Sequence, residues 1–264
     1  MSRLDNEIKT LKLIQVKGKW GGATGNFHTL VMVDEKKNWI NFIKGFFKFI
    51  KTPLNTLTTQ IEPHDCIAEL SYSIVRINNV LIDMNRDIWM YISNDLFKLK
   101  VIKGEVGSST MPHKVNPIDF ENSEGNLELS NALFIFFGDK LSKSRLQRDL
   151  SDSTVLRNIG VPFGHSYLAI QSLIKGFSKL EVNKEQSLKE LNNNWQILGE
   201  AIQTVMKLEG YDDAYEIIKD LTRGELLTEN SYKSLINSLD ISIKSKSKLL
   251  KLTPATYIGL SKLI

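Results

Sequence analysis

Residues 107–117 read GSSTMPHKVNP and collect hydroxyls, a lysine, an amide and two prolines in a run with little to bury. The prolines rule out a regular helix and the polarity rules out a core strand, so the run is a loop. A glycine-loosened backbone carrying donors and a cation suits closure over an anion. Two other clusters share that character. One is TTQIEP at 58–63. The other, SRLQRDLSDSTVLRN at 144–158, sets Arg145, Arg148 and Arg157 around Ser151, Ser153 and Thr154. Guanidinium forks beside hydroxyls at a helix start favour phosphate. On these residues alone, an N-cap at Ser153 or Asp152 with surface ion pairs is the alternative.

Helices must position these loops. Ile67, Leu70, Ile74, Ile77, Leu81, Met84, Ile88 and Tyr91 alternate in steps of three and four, predicting one long helix with Pro63 near its start. A second is predicted from Asn122 to Leu141, and a third from Thr154 to Leu180 with a kink at Pro162 and Gly164. Leu188, Leu191, Trp195, Leu198, Ile202 and Val205 mark a fourth, stopped by Gly210. Shorter helices follow at 212–223 and 231–239, with a tail from Ala255. No strand pattern and no internal repeat emerges. The expected fold is all-α: a long-helix bundle over 1–178 carrying the loop 104–126, then a small helical domain over 179–264.

Composition narrows the chemistry. The 264 residues are 42% hydrophobic and 24% charged, as in a globular protein with a sizeable core. A single cysteine excludes an internal disulfide framework and fits a reducing, cytoplasmic setting. The most apolar run, Phe42–Ile50, is short and broken by Lys44 and Lys48, so no membrane span is expected. Scattered lysines and a net charge of +4 argue for solvated helix faces rather than a nucleic-acid surface. His28 and His165 have no partner at metal-ligand spacing, so no metal is expected. His64 is read as a cap or a packed residue at the helix start, and the Trp195 stripe as core.

The loop resembles the GSSxMPxKxNP signature of the fumarase/aspartase superfamily. Its extension IDFENSEGN, together with TTQIEPHD and RDLSDSTVLRN, resembles the adenylosuccinate lyase family within it, from KGKWGGATGNF (17–27) to TPATYIG (253–259). That resemblance implies β-elimination of fumarate from adenylosuccinate, leaving AMP, and the same cleavage of a succinylated carboxamide ribotide, without a cofactor. It implies Ser108 as the base, with Lys114 stabilising its alkoxide, and Glu121 as the carboxylate that pairs with a catalytic histidine. Lys114, Asn116 and Ser109, beside Val115, would hold the succinyl carboxylate. Gln60 and Asn122 would position the substrate. Arg148 and the run Ser153, Thr154, Val155, Leu156 and Arg157 would take the nucleotide.

The family's acid histidine lies in a run resembling TSGQxATP, which His28, His64, His113 and His165 do not match. His113 falls where the family varies. An upstream domain is therefore expected to be missing from this chain, which is expected to be inactive alone. Its long apolar stripes predict a homo-oligomer, and the resemblance implies a D₂ tetramer with active sites shared between subunits. The alternatives are another fumarate-releasing lyase with an amino-acid substrate, or a non-catalytic scaffold on the same frame.

Overall fold

The computed structural model describes residues 1–100, 116–146, 148–222 and 227–263. It forms two compact units, Met1–Glu181 and Val182–Ile264. The first holds α1 (Ser2–Leu13), α2 (His28–Val33), α3 (Trp39–Phe49), α4 (Asp65–Ser93), β1 (Phe97–Leu99), α5 (Ile118–Leu141), α6 (Ser151–Leu156), α7 (Gly160–Lys179) and β2 (Leu180–Val182). The second holds α8 (Lys184–Asn192), a 3₁₀ turn at Trp195–Leu198, α9 (Gly199–Leu208), α10 (Ala214–Thr222), α11 (Glu229–Ser238) and α12 (Ile243–Leu250).

α4, with 29 residues, is about 43 Å long and bears the stripe read from the sequence, with Ile74, Leu81 and Ile88 buried. It runs antiparallel to α5: Asn85 meets Ser123, Asn78 meets Ser130, and Tyr72 lies against Gly138. A Cβ at Gly138 would stand 2.8 Å from the Tyr72 ring, so glycine sets how closely these helices approach. α7 is also antiparallel to α5, since Ser166 meets Ser130 near one end and Lys179 meets Asp119 at the other. α1 lies along α4, held by Arg3–Asp83 and Glu7–Arg76 pairs.

Two apolar clusters fill this bundle, one around Leu81, Phe120, Leu127 and Leu173, the other around Ile74, Phe134, Phe137 and Leu141. Between them runs a buried polar ladder. Asn78 donates to Asn131 Oδ1 (3.0 Å) and Ser166 Oγ (3.1 Å). Ser130 donates to the Pro162 carbonyl (2.9 Å), and Asn85 donates to Ser123 (2.9 Å). The second unit has its own core of Trp195, Leu198, Ile202, Met206, Tyr232, Ile236 and Leu249. There the buried Tyr232 hydroxyl donates to the Leu249 carbonyl (2.9 Å), and burial pushes its pKa up to about 12.

Several expectations are corrected. α5 starts at Ile118 rather than Asn122: Pro117 is its N-cap, and Asp119 and Glu121 suit the positive end of a helix. The expected 154–180 helix is two, α6 and α7, broken at 157–159 upstream of Pro162. Pro162 is the third residue of α7, where a backbone N–H has no intrahelical acceptor and its loss costs little. The fourth helix breaks at Asn193 and Asn194, which leaves Leu188 and Leu191 exposed on α8. From Ala255 onward there is no helix among the described residues, only turns at 254–256 and 259–263. Phe42–Ile50 belongs to α3, whose Ile43 and Phe47 are buried. β1 and β2 pair as a small two-stranded sheet that no sequence pattern announced.

Candidate functional site

The antiparallel bundle has two ends, and the expected site residues divide between them. At one end lie the last turns of α4 and α7 and the first turns of α5. Asn116 sits just before α5, and Glu121 and Asn122 lie on its exposed first turns. The Trp89 indole N–H, from α4, donates to Glu121 Oε1 at 3.0 Å. One turn further along, Asn126 donates to the backbone carbonyl of Asn122 at 2.9 Å and to its Oδ1 at 2.5 Å. Asn126 in turn meets His165 Nδ1 of α7 at 2.9 Å. Ser108, Ser109, Lys114 and Val115, with His113, lie in 101–115, outside the described residues.

The chain entering and leaving that segment is tied to one residue. The Lys179 carbonyl accepts from the Lys100 N–H at 2.8 Å, and the Lys179 ammonium lies 2.6 Å from Asp119 Oδ2. This ion pair is almost wholly buried, with side chains 4% and 12% exposed. Lys175 approaches the other Asp119 oxygen at 3.5 Å from the surface.

At the opposite end, Gln60 is exposed on the segment leading into α4. The Lys19 ammonium gathers the carbonyls of Gln60 (2.6 Å), Gly22 (2.8 Å) and Thr59 (3.4 Å), clamping the glycine-rich 18–25 run onto 58–60. Burial lowers the Lys19 pKa. Gly25, at φ +79°, passes so close that a Cβ would lie 1.7 Å from the Thr58 carbonyl oxygen. A cleft of about 360 Å³ opens here, lined by Gly25, Asn26, Leu57, Thr58, Thr59 and Pro63.

α6 lies at this end too. Val155 and Leu156 pack with Ile159 against the Phe134–Leu141 stretch of α5, which leaves Thr154 and Arg157 exposed and Ser153 half-buried. Neither Ser153 nor Asp152 caps the helix: its N-cap is Leu150, without a side-chain bond, and Asp152 is buried. Arg145 is drawn to Asp149 (3.4 Å), with Lys140 at 3.6 Å. The Ser151 backbone N–H, helped by those cations, pulls the Asp149 pKa down to about 2. Arg148 and Arg157 form no ion pair among the described residues.

Within one chain the two groups stay apart. Asn122 and the α6-packing residue Phe137 are separated by about 22 Å along α5, at roughly 1.5 Å per residue. Sequence reasoning missed Lys19, Trp89, Asn126, His165 and Lys179. Two had a signal: Lys19, beside a glycine-rich run, and Asn126, which closes the IDFENSEGN motif. His64 is the N-cap residue of α4, buried and with a left-handed backbone, and its side chain packs without making a capping bond. Among the described residues no cluster of His, Cys, Asp and Glu could hold a metal, and no helix is long and apolar enough to cross a membrane.

Two family models match the chain, one described as Lyase over residues 1–129 and one as Adenylosuccinate lyase C-terminal over 144–258. The adenylosuccinate lyase of Legionella pneumophila (strain Corby) is 51% identical over 99% of this chain and 57% of its own length. Those of Haemophilus influenzae and Escherichia coli K12 are 51% and 49% identical, each over 97% of this chain and 56% of theirs. The chain thus spans a little over half the length of these curated relatives. Among solved structures, 3-carboxy-cis,cis-muconate lactonizing enzyme from Pseudomonas putida shares the fold at TM-score 0.69 and 20% identity, over 99% of this chain and 59% of that one. Class II fumarase from Schistosoma mansoni follows at TM-score 0.54 and 19% identity, over 76% and 41%. The signature motifs, the two family models and relatives at about half identity agree: over nearly its whole length the chain is similar to adenylosuccinate lyases.

Proposed function

We propose that this chain supplies the signature-loop and nucleotide-phosphate parts of a lyase that splits adenylosuccinate into AMP and fumarate, and that splits the succinylated carboxamide ribotide in the same way. The carrying observation is that Arg148 and Arg157 flank the hydroxyls of Ser153 and Thr154 without an ion pair among the described residues. Exposed guanidiniums close in the chain to hydroxyls, with no ion pair among the described residues, suit a phosphate. Ser108 takes the proton from the carbon next to a succinyl carboxylate. The electron pair moves into that carboxylate, stabilised by Lys114, Asn116 and Ser109 beside Val115. The carbon–nitrogen bond then breaks, and an acid protonates the departing nitrogen. Glu121 pairs with that acid, a histidine in the part of the longer relatives that this chain does not cover. Gln60 and Asn122 position the substrate, and Val155 and Leu156 seat the nucleotide-binding turn.

The separation of the two residue groups supports a homo-oligomer whose sites draw on several copies, a D₂ tetramer in the cytoplasm. Exposed Leu129, Ile135 and Phe136 on α5, with Leu168 and Ile174 on α7, are the apolar surfaces that copies would cover. On this reading 1–178 is the family's central helical domain and 179–264 its small C-terminal domain. The test is thermal unfolding with AMP, fumarate or argininosuccinate. AMP should raise Tm and argininosuccinate should not; the reverse pattern would assign another lyase. In the complete enzyme, Ser108→Ala should lower kcat by roughly 10² or more at nearly constant KM, as loss of a general base does.

A further inference from the structure

We infer that Asn126 and His165 form a polar relay that fixes the Asn122 amide with its NH₂ group turned toward the ligand. The role toward substrate rests on the lyase reading above, but the relay itself does not.

One backbone atom settles the chain of hydrogen bonds. The Asn122 carbonyl can only accept, and the Asn126 side chain reaches it at 2.9 Å, so the amide atom facing it is the NH₂. The Asn126 oxygen therefore occupies the other position, 2.9 Å from His165 Nδ1. An amide oxygen cannot donate, so the His165 proton sits on Nδ1. A neutral ring then presents Nε2 as an acceptor. The Asn126 NH₂ also lies 2.5 Å from the Asn122 side chain. Two NH₂ groups at that distance would repel, so Asn122 turns its oxygen to Asn126. Its NH₂ is left to donate outward from the exposed first turns of α5.

That polarity is a specificity statement. An amide free to rotate presents either a donor or an acceptor, whereas this one is held as a donor. A donor suits anionic oxygen, here a carboxylate of the succinyl group, and disfavours a ligand that presents N–H there. Asn126 and His165 are positioning residues: His165 is anchored on a neighbouring helix, so the direction of the Asn122 amide is set by the packing of α7 on α5.

Two substitutions separate this relay from mere packing. Asn126→Leu removes all three bonds, two to Asn122 and one to His165. Asn126→Asp keeps the acceptor for His165 but loses the donor to Asn122, whose amide should then turn its NH₂ inward and its oxygen outward. Ring ¹⁵N shifts of His165, assigned with His165→Gln, are measured in this chain at neutral pH without ligand. Protonated Nδ1 is expected in the parent and in Asn126→Asp, with a shift toward protonated Nε2 in Asn126→Leu. Binding of adenylosuccinate is measured by calorimetry in the complete enzyme with a Ser108→Ala background, where turnover is blocked. Affinity should fall about tenfold for Asn126→Leu, the upper range for one lost hydrogen bond, and further for Asn126→Asp. A parent ring protonated on Nε2 overturns the relay. Unchanged affinity in Asn126→Asp, with Nδ1 still protonated, overturns its role in polarity. If the complete Ser108→Ala enzyme fails to bind adenylosuccinate, the lyase reading fails while the ring shifts still decide the relay.

Discussion

Lys179→Met is the sharpest probe of what ties Lys100 and the start of α5 to α7. The substitution keeps the apolar stem and deletes the ammonium 2.6 Å from Asp119, in a pair whose side chains are 4% and 12% exposed. Leaving a buried carboxylate without its partner costs about 3–5 kcal/mol. Lys175 stays 3.5 Å from the other oxygen, but its side chain is 56% exposed, so its screened attraction restores about 0–1 kcal/mol. The net expectation is a loss of about 3 kcal/mol, or roughly 6–12 °C in Tm for a unit of this size. Urea unfolding followed by circular dichroism gives the free energy, and exchange at the Lys100 amide reports whether the β1 end loosens. The double variant Asp119→Leu/Lys179→Met removes both charges and should recover most of the loss, because well-packed apolar residues commonly replace buried ion pairs without penalty. A single-variant loss under about 1 kcal/mol, or a double variant no better than the single, would refute the reasoning.

Three other outcomes are expected. Arg157→Lys keeps the charge but loses the planar fork, so AMP binding should weaken by about 1–3 kcal/mol while fumarate binding is unchanged, as calorimetry would show. Gly25→Ala would place a methyl group 1.7 Å from the Thr58 carbonyl at a left-handed backbone position. It should displace the 58–60 segment and lower Tm by several degrees, and an unchanged Tm would mean that the loop relaxes freely. Asp149 titrates at about 2 against an ordinary 3.8, so its contribution to stability is present above about pH 4 and is lost as pH falls toward 2. Asp149→Asn should flatten that part of an acid-unfolding curve, and an unchanged slope would remove Asp149 from the account.

What the sequence shows and hides follows from the range of the interactions. α4 was legible because its stripe is local and repeats for over three heptads. The start of α5 was read four residues late because apolar periodicity says little about Pro117 and the acidic first turn that begin it. The break between α6 and α7 was misplaced because proline was read as a kink, when at the third helical position it is harmless. The signature loop, TTQIEP and the α6 cluster are contiguous motifs, so they stand out in one dimension. Their supports do not. Asn126 and His165 are 39 positions apart, Asp119 and Lys179 are 60 apart, and Trp89 reaches Glu121 across 32. These partners are chosen by helix pairing, which no short window contains. The division of the site residues between two ends of the bundle was likewise invisible until α4, α5 and α7 were seen to run antiparallel.

The ladder of buried amides and hydroxyls between α4, α5 and α7 works as a set of detents. Leucine-rich faces accept more than one axial offset, because one apolar contact replaces another as the helices slide. A shift of one turn, about 5.4 Å, would carry Asn78 away from Asn131 and Ser166 and set its amide against phenylalanine. Neighbouring offsets are thereby made costly, and the helices have one resting position rather than several of similar energy. The height at which α7 presents His165 to α5, and so the direction of the Asn122 amide, is held by side chains that need touch no ligand. Eroding the ladder would therefore appear first as heterogeneity at the bundle end, with the helices still formed and the chain still folded.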